Sequence, residues 1–132
     1  MEAGQSIELE YKVKSSDLAK ALSDNPEDDF PEVFATSRMI AIMELAAARL
    51  MKSLLSESTL SVGVNVNVTH MAATPANALV KAKAVFLYVE NNLYYFDVSI
   101  EDAAGIAGKG THSRAIIETS RLLDGAAKRA GC

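Results

Sequence analysis

Three side chains carry the chemical possibilities of this sequence: Thr36, Glu44 and His70. Glu44 is the one polar residue in the run from Met39 to Ala48. A carboxylate in so apolar a helix is costly to keep charged unless something pairs with it. It suits a general base or the group that orients a histidine; the other reading is a carboxylate satisfied by backbone or arginine groups, with no catalytic task. His70 closes an alternating run that begins at Val62. An imidazole there either moves protons or serves structure alone. Thr36 stands where a helix begins. It reads as an N-cap, or as a hydroxyl beside backbone N–H groups that stabilise negative charge. Gly63 marks a bulge, or offers an unobstructed N–H to an oxyanion. The expectation is that Thr36, Glu44 and His70 meet. His112, the other histidine, is expected at the surface or at an interface.

The elements that must position these groups follow from periodicity. Ile7, Leu9, Tyr11 and Val13 alternate with Glu8, Glu10, Lys12 and Lys14, a strand with one buried and one wet face. Ser15-Ser16-Asp17 is expected to cap a short helical stretch from Leu18 to Leu22. Ser23 to Pro31 is acidic and carries two prolines, so it reads as a loop. Phe30 at its end either staples onto the next helix or covers something. The main helix is expected from Ser37 to about Leu54. Apolar all round, it is expected to be buried on all sides, and Ala46, Ala47 and Ala48 allow close approach by a sheet or another chain.

Val62, Val64, Val66 and Val68 alternate with Gly63, Asn65, Asn67 and Thr69, a clean strand period. Three more strands follow, Leu79 to Val89, Leu93 to Glu101 and Ile106 to Glu118, with Gly108 and Gly110 free to bend the last. Thr119 to Cys132 reads as a short helix. Strands joined by tight turns form an antiparallel meander, whose buried face needs the one long helix as cover. The fold class is therefore α+β, a curved antiparallel sheet wrapped around one central helix, in a single domain spanning residues 1–132.

Composition narrows the function. The chain of 132 residues is 49% hydrophobic with a net charge of -4, enough for a real core and without a basic face for nucleic acid. Its one cysteine, the terminal Cys132, excludes a disulfide framework and a cysteine zinc site; it reads as an incidental thiol. His70 and His112 do not fall in a metal-ligand spacing, and neither a phosphate loop nor a GxSxG motif occurs. The N-terminus lacks the basic and apolar regions of a signal peptide, and no apolar run reaches the length of a membrane span. A soluble cytoplasmic protein with no metal or cofactor is expected.

The segments FPEVFAT, SVGVNVNVTHMAATP and GKGTHSRAII, with a glutamate eight positions after the threonine, resemble the hotdog-fold thioesterases. Within these they look most like the fluoroacetyl-CoA thioesterase-type subfamily, over a span from about Tyr11 to Glu118. The resemblance implies a hotdog fold and a homodimer, or a higher oligomer, with sites along the subunit interface. It places the catalytic threonine on Thr36, the helix glutamate on Glu44 and the histidine on His70. The glycine whose amide lies near the thioester carbonyl falls on Gly63, a site arginine on Arg114 and a lid phenylalanine on Phe30. Ser37-Arg38 after the threonine and the alanines after Glu44 depart from the pattern. The implication is thus hydrolysis of a short-chain acyl-CoA, more than fluoroacetyl selectivity. The reaction would yield a carboxylic acid and free coenzyme A, Gly63 holding the oxyanion and His70 moving protons. Thr36 would attack or position water, and Glu44 would orient His70 or itself attack as a carboxylate. Two alternatives remain open: a non-catalytic acyl-CoA binding or sensing module, and an acyl-CoA hydratase or dehydratase.

Overall fold

The computed structural model describes residues 1–131; Cys132 and the reading attached to it lie outside the described residues. In chain order the elements are β1 (Ser6–Lys12), α1 (Thr36–Met51), β2 (Thr59–His70), β3 (Leu79–Glu90), β4 (Leu93–Asp102), β5 (Gly105–Glu118) and α2 (Thr119–Arg129). All five strands form one antiparallel sheet in the order β1-β3-β4-β5-β2. The β3–β4 hairpin turns on Asn91 and Asn92, with φ of 51° and 63°. Asparagine tolerates that left-handed backbone, and such a turn matches the twist of the flanking strands.

Helix α1 packs along the inner face of the sheet. Met39, Ile42, Met43, Ala46, Ala47, Leu50 and Met51 are buried, the spacing of a single helical face. They meet Val80, Ala82, Ala84 and Phe86 of β3 and Phe96, Val98 and Ile100 of β4. The alanines of β3 leave room for a bulky helix. Burial on all sides, expected from composition, is not found: Ala41, Glu44 and Ala48 are only partly covered and Leu45 is exposed. One sheet can wrap only one side of a helix, so this stripe stays open within one chain. The helix begins at Thr36 and ends at Met51, with a tighter turn over Lys52–Leu54.

Strand β2 bears out the bulge reading of Gly63 and breaks the clean period expected of its valines. Its valines do not share one face, because the register with β5 slips between Gly63 and Asn65. Val64 is the extra residue, and it is 54% exposed. Gly63 and His70 are seven positions apart, so on a regular strand they would point to opposite faces. The bulge adds one residue and turns both toward the helix. Strand β2 is also an edge of the sheet, with Val66 exposed beside Val64.

The start of α1 is held by a buried carboxylate that sequence reading took for a cap. Asp17 accepts hydrogen bonds from the Tyr11 hydroxyl, from the Lys14 N–H at 2.9 Å and from Arg38 Nε at 2.9 Å. Burial pushes its carboxyl up, but these bonds outweigh burial and hold it below the ordinary carboxylate range. The Asp17 carbonyl accepts the Ala35 N–H at 2.9 Å, and the Phe34 N–H reaches the Thr74 carbonyl at 2.8 Å. The backbone entering Thr36 is thereby pinned to the turn after β1 and to the loop after β2. Among the described residues no helix is long and apolar enough to cross a membrane, and no cluster of His, Cys, Asp and Glu is arranged to hold a metal ion.

Candidate active site

Thr36 is not the cap of its helix. Ala35 occupies that position and makes no side-chain capping bond. The Thr36 hydroxyl instead lies 2.8 Å from His70 Nδ1. Two elements far apart in sequence are joined there, the first residue of α1 and the last of β2. A hydroxyl that donates to Nδ1 leaves the neutral ring's proton on Nε2. That Nε2 is buried and has no hydrogen-bond partner among the described residues. The pair opens onto a cleft of about 420 Å³ walled by Ala19, Pro31, Val33 and Ala73. The first internal helix bond runs from the Met39 N–H to the Ala35 carbonyl. The N–H groups of Thr36, Ser37 and Arg38 therefore have no partner within the helix, and the dipole makes this end positive.

Glu44 does not join them within the chain. Eight helical residues separate it from Thr36, about 12 Å along the axis at the usual rise. Its Oε1 sits 3.4 Å from Arg114 Nη1 and 3.9 Å from His112 Nε2. It also occupies the space that a side chain at Gly63 would need. The expected cluster of three is thus a Thr36–His70 pair and a separate Glu44 group. Glycine at position 63 has a steric reason: any Cβ would displace the carboxylate.

Arg114 is buried, and each of its three nitrogens donates to a named partner, through four bonds in all. Nε donates to Ser61 Oγ at 3.0 Å, Nη2 to the Ser61 carbonyl at 2.9 Å and Nη1 to His112 Nε2 at 3.1 Å and Glu44 Oε1 at 3.4 Å. Burial lowers its pKa and the Glu44 carboxylate opposes that shift. His112, expected at the surface, is only 2% exposed. It donates from Nδ1 to the Asn65 carbonyl at 2.8 Å, which leaves Nε2 free to accept from Arg114. Alternation along β5 could have revealed this, since His112 and Arg114 are two apart and share the helix-facing side. Phe30 is 42% exposed, and its neighbour Pro31 lines the cleft.

The profile of the FlK family, fluoroacetyl-CoA-specific thioesterases, matches residues 13–120. The chain belongs to the fluoroacetyl-CoA-specific thioesterase family. Over 94 residues it is 39% identical to the fluoroacetyl-CoA thioesterase of Streptantibioticus cattleyicolor, covering 71% of this chain and 68% of that protein. A solved structure of the fluoroacetyl-CoA thioesterase FlK superposes with a TM-score of 0.92 at 33% identity, covering 97% of this chain and 96% of that one. A phenylalanine-to-alanine variant of that enzyme, in complex with fluoroacetate and CoA, gives a TM-score of 0.88 at 34% identity over 92% and 99% of the two chains. A hot-dog-like protein from Thermanaerovibrio acidaminovorans, 24% identical over 96% and 91% of the chains with a TM-score of 0.82, shares the fold. The sheet wrapped on α1 is a hotdog fold. The chain is an acyl-CoA thioesterase, and membership of this family sets aside the binding module and the hydratase.

The His112 environment predicts how stability depends on pH. Burial holds its imidazole below the ordinary value of 6.5; the hydrogen bond to the Asn65 carbonyl opposes this, the Arg114 charge adds to it, and Glu44 opposes it least. The unfolded chain therefore binds this proton more readily than the folded one. The stability that the neutral ring supports is complete above pH 6.5 and is lost as pH falls toward the folded-state value. The slope is at most about 1.4 kcal/mol per pH unit. Urea unfolding between pH 7.5 and about pH 5.5 should show this loss, and His112→Gln should flatten it. Equal slopes in both proteins would contradict a neutral buried His112.

Proposed function

We propose that this enzyme hydrolyses short-chain acyl-CoA thioesters, fluoroacetyl-CoA among them, with Thr36 as nucleophile and His70 as its base. The observation that carries the reading is the 2.8 Å contact from Thr36 Oγ1 to His70 Nδ1. A hydroxyl within hydrogen-bond reach of an imidazole is the arrangement of an activated nucleophile. Thr36 Oγ1 attacks the thioester carbonyl carbon as Nδ1 takes its proton. The tetrahedral intermediate collapses, the C–S bond breaks and His70 returns the proton to the departing CoA sulfur. Water, deprotonated by the same nitrogen, then attacks the threonyl ester; the bond to Oγ1 breaks, His70 returns the proton to Thr36 Oγ1 and the acid is released. The positive start of α1 favours the developing negative charge. Phe30, exposed beside the cleft wall, covers the acyl group as a lid.

The complete site takes two copies of the chain, one supplying Thr36 and His70 and the other Glu44, Gly63 and Arg114. Three observations support this. His70 Nε2 is a buried donor without an acceptor among the described residues, which is costly unless another group meets it. Glu44 is 38% exposed on the uncovered stripe of α1. The edge of β2 shows valines at 64 and 66, an invitation to a further strand. In the paired protein the partner carboxylate accepts from Nε2, and the Gly63 N–H stabilises the oxyanion, an interaction typically worth about 3–4 kcal/mol. The enzyme acts in the cytoplasm, where acyl-CoA is met as a soluble substrate.

Thr36→Ser should keep most of kcat, while Thr36→Ala should lose a factor of about 100 or more. Near wild-type turnover by the alanine variant would end the nucleophile assignment. The two-copy site is checked by mixing inactive chains. In a heterodimer of Thr36→Ala and Glu44→Ala one site receives both defects and the other receives none. Co-expression should restore about a quarter of wild-type activity, from one intact site in the half of dimers that are mixed. No recovery, with mixed dimers shown to form, would place Glu44 outside the site of its partner.

A further inference from the structure

We infer that His112 is a positioning residue for the hydrolysis proposed above: its neutral imidazole fixes the guanidinium of Arg114 that holds Glu44 against Gly63. The inference rests on that reading of Glu44. A continuous chain of hydrogen bonds carries it. Arg114 Nη1 donates to His112 Nε2 at 3.1 Å, and His112 Nδ1 donates to the Asn65 carbonyl at 2.8 Å. Asn65 is the residue just after the bulge, so the irregular backbone of β2 sets the depth of the ring. The Phe96 ring of β4 stands beside it, tilted by 32° with 6.5 Å between centroids.

The directions of these bonds matter. An acceptor at Nε2 is what the second Nη1 hydrogen of Arg114 requires, since guanidinium has donors only. Ser61 alone fixes the other side of the guanidinium, through Nε and Nη2. Without His112 the Nη1 corner would hold one hydrogen on Glu44 and leave the other buried and unpaired. Glu44 is the longest of the four Arg114 contacts, at 3.4 Å. It is therefore the one to move when Nη1 shifts. The charged and titratable groups that face His112 are Arg114 on β5 and Glu44 on α1. A proton on Nε2 would turn an acceptor into a donor beside Arg114. It would also pull Glu44 out of the guanidinium and toward itself across the 3.9 Å gap.

Two substitutions separate positioning from bulk. Asparagine can place a donor near Nδ1 but has no acceptor near Nε2; glutamine can place an acceptor oxygen near Nε2. With fluoroacetyl-CoA and acetyl-CoA as probes, His112→Asn should lower kcat by about 10- to 100-fold with KM little changed, as misplaced groups do. His112→Gln should recover most of it. Equal kcat in the two variants, or losses that merely follow a fall in Tm, would overturn the inference. Nitrogen-15 shifts of the wild-type ring give a readout independent of turnover. A neutral ring with the proton on Nδ1 at pH 7 is expected, and a proton on Nε2 would refute the chain of bonds. His70→Ala, assayed alongside, tests the hydrolytic reading. If that variant is as active as wild type the reading fails, while the Asn–Gln contrast still judges His112.

Discussion

One extra residue in β2 decides what this fold can present to a substrate. A regular strand alternates its side chains, so His70 at the end and Gly63 near the middle would face opposite ways. The slip at Val64 turns both toward α1. His70 then reaches the first residue of the helix, and Gly63 lies under Glu44 two turns further along. The same irregularity presents the Asn65 carbonyl to His112. Two small groups of polar residues are thereby aligned along one helix by a single backbone feature.

The two groups solve the problem of buried polarity differently. Around Arg114, a guanidinium taken out of water is satisfied on each of its three nitrogens, by Ser61, His112 and Glu44. An ion pair of this kind is weak evidence for stability, since desolvation offsets much of the attraction; its use is to hold Glu44 in one place. Around His70 the accounting is left open, with a buried Nε2 that finds no acceptor among the described residues. On the proposed two-copy reading, a partner chain meets this atom beside the uncovered helix stripe and the edge of β2. The Asp17 anchor belongs to the same design from the other side. It ties β1, through Tyr11, to Arg38 in the first turn of α1, so the Thr36 hydroxyl sits on a fixed frame.

Much of this was legible in the residues. Alternation and the turns between runs located all five strands, and the apolar run from Met39 located α1. Thr36, Glu44 and His70 were picked out together, and the structure brings Thr36 and His70 into contact. Three things were not legible, for physical reasons. Gly63 marked a bulge as one of its readings, but a glycine alone does not say how the slip re-aims the residues after it, so the common direction of Gly63 and His70 was not read. The environment of Glu44 depends on which β5 residues lie across the sheet, and that register was unknown; Arg114 and His112 were therefore not placed beside it. Asp17 looked like a turn residue because its partners, Tyr11 and Arg38, lie on two other elements.

The central claim is that the Thr36–His70 pair performs acyl-CoA hydrolysis. Its most direct test is thiol release from short, branched, aromatic and long acyl-CoAs, with wild type and His70→Ala measured side by side. The account predicts turnover concentrated in the short acyl groups, collapsing by about 100-fold or more in the variant while fold and Tm are kept. Undiminished turnover in a folded His70→Ala protein would contradict it.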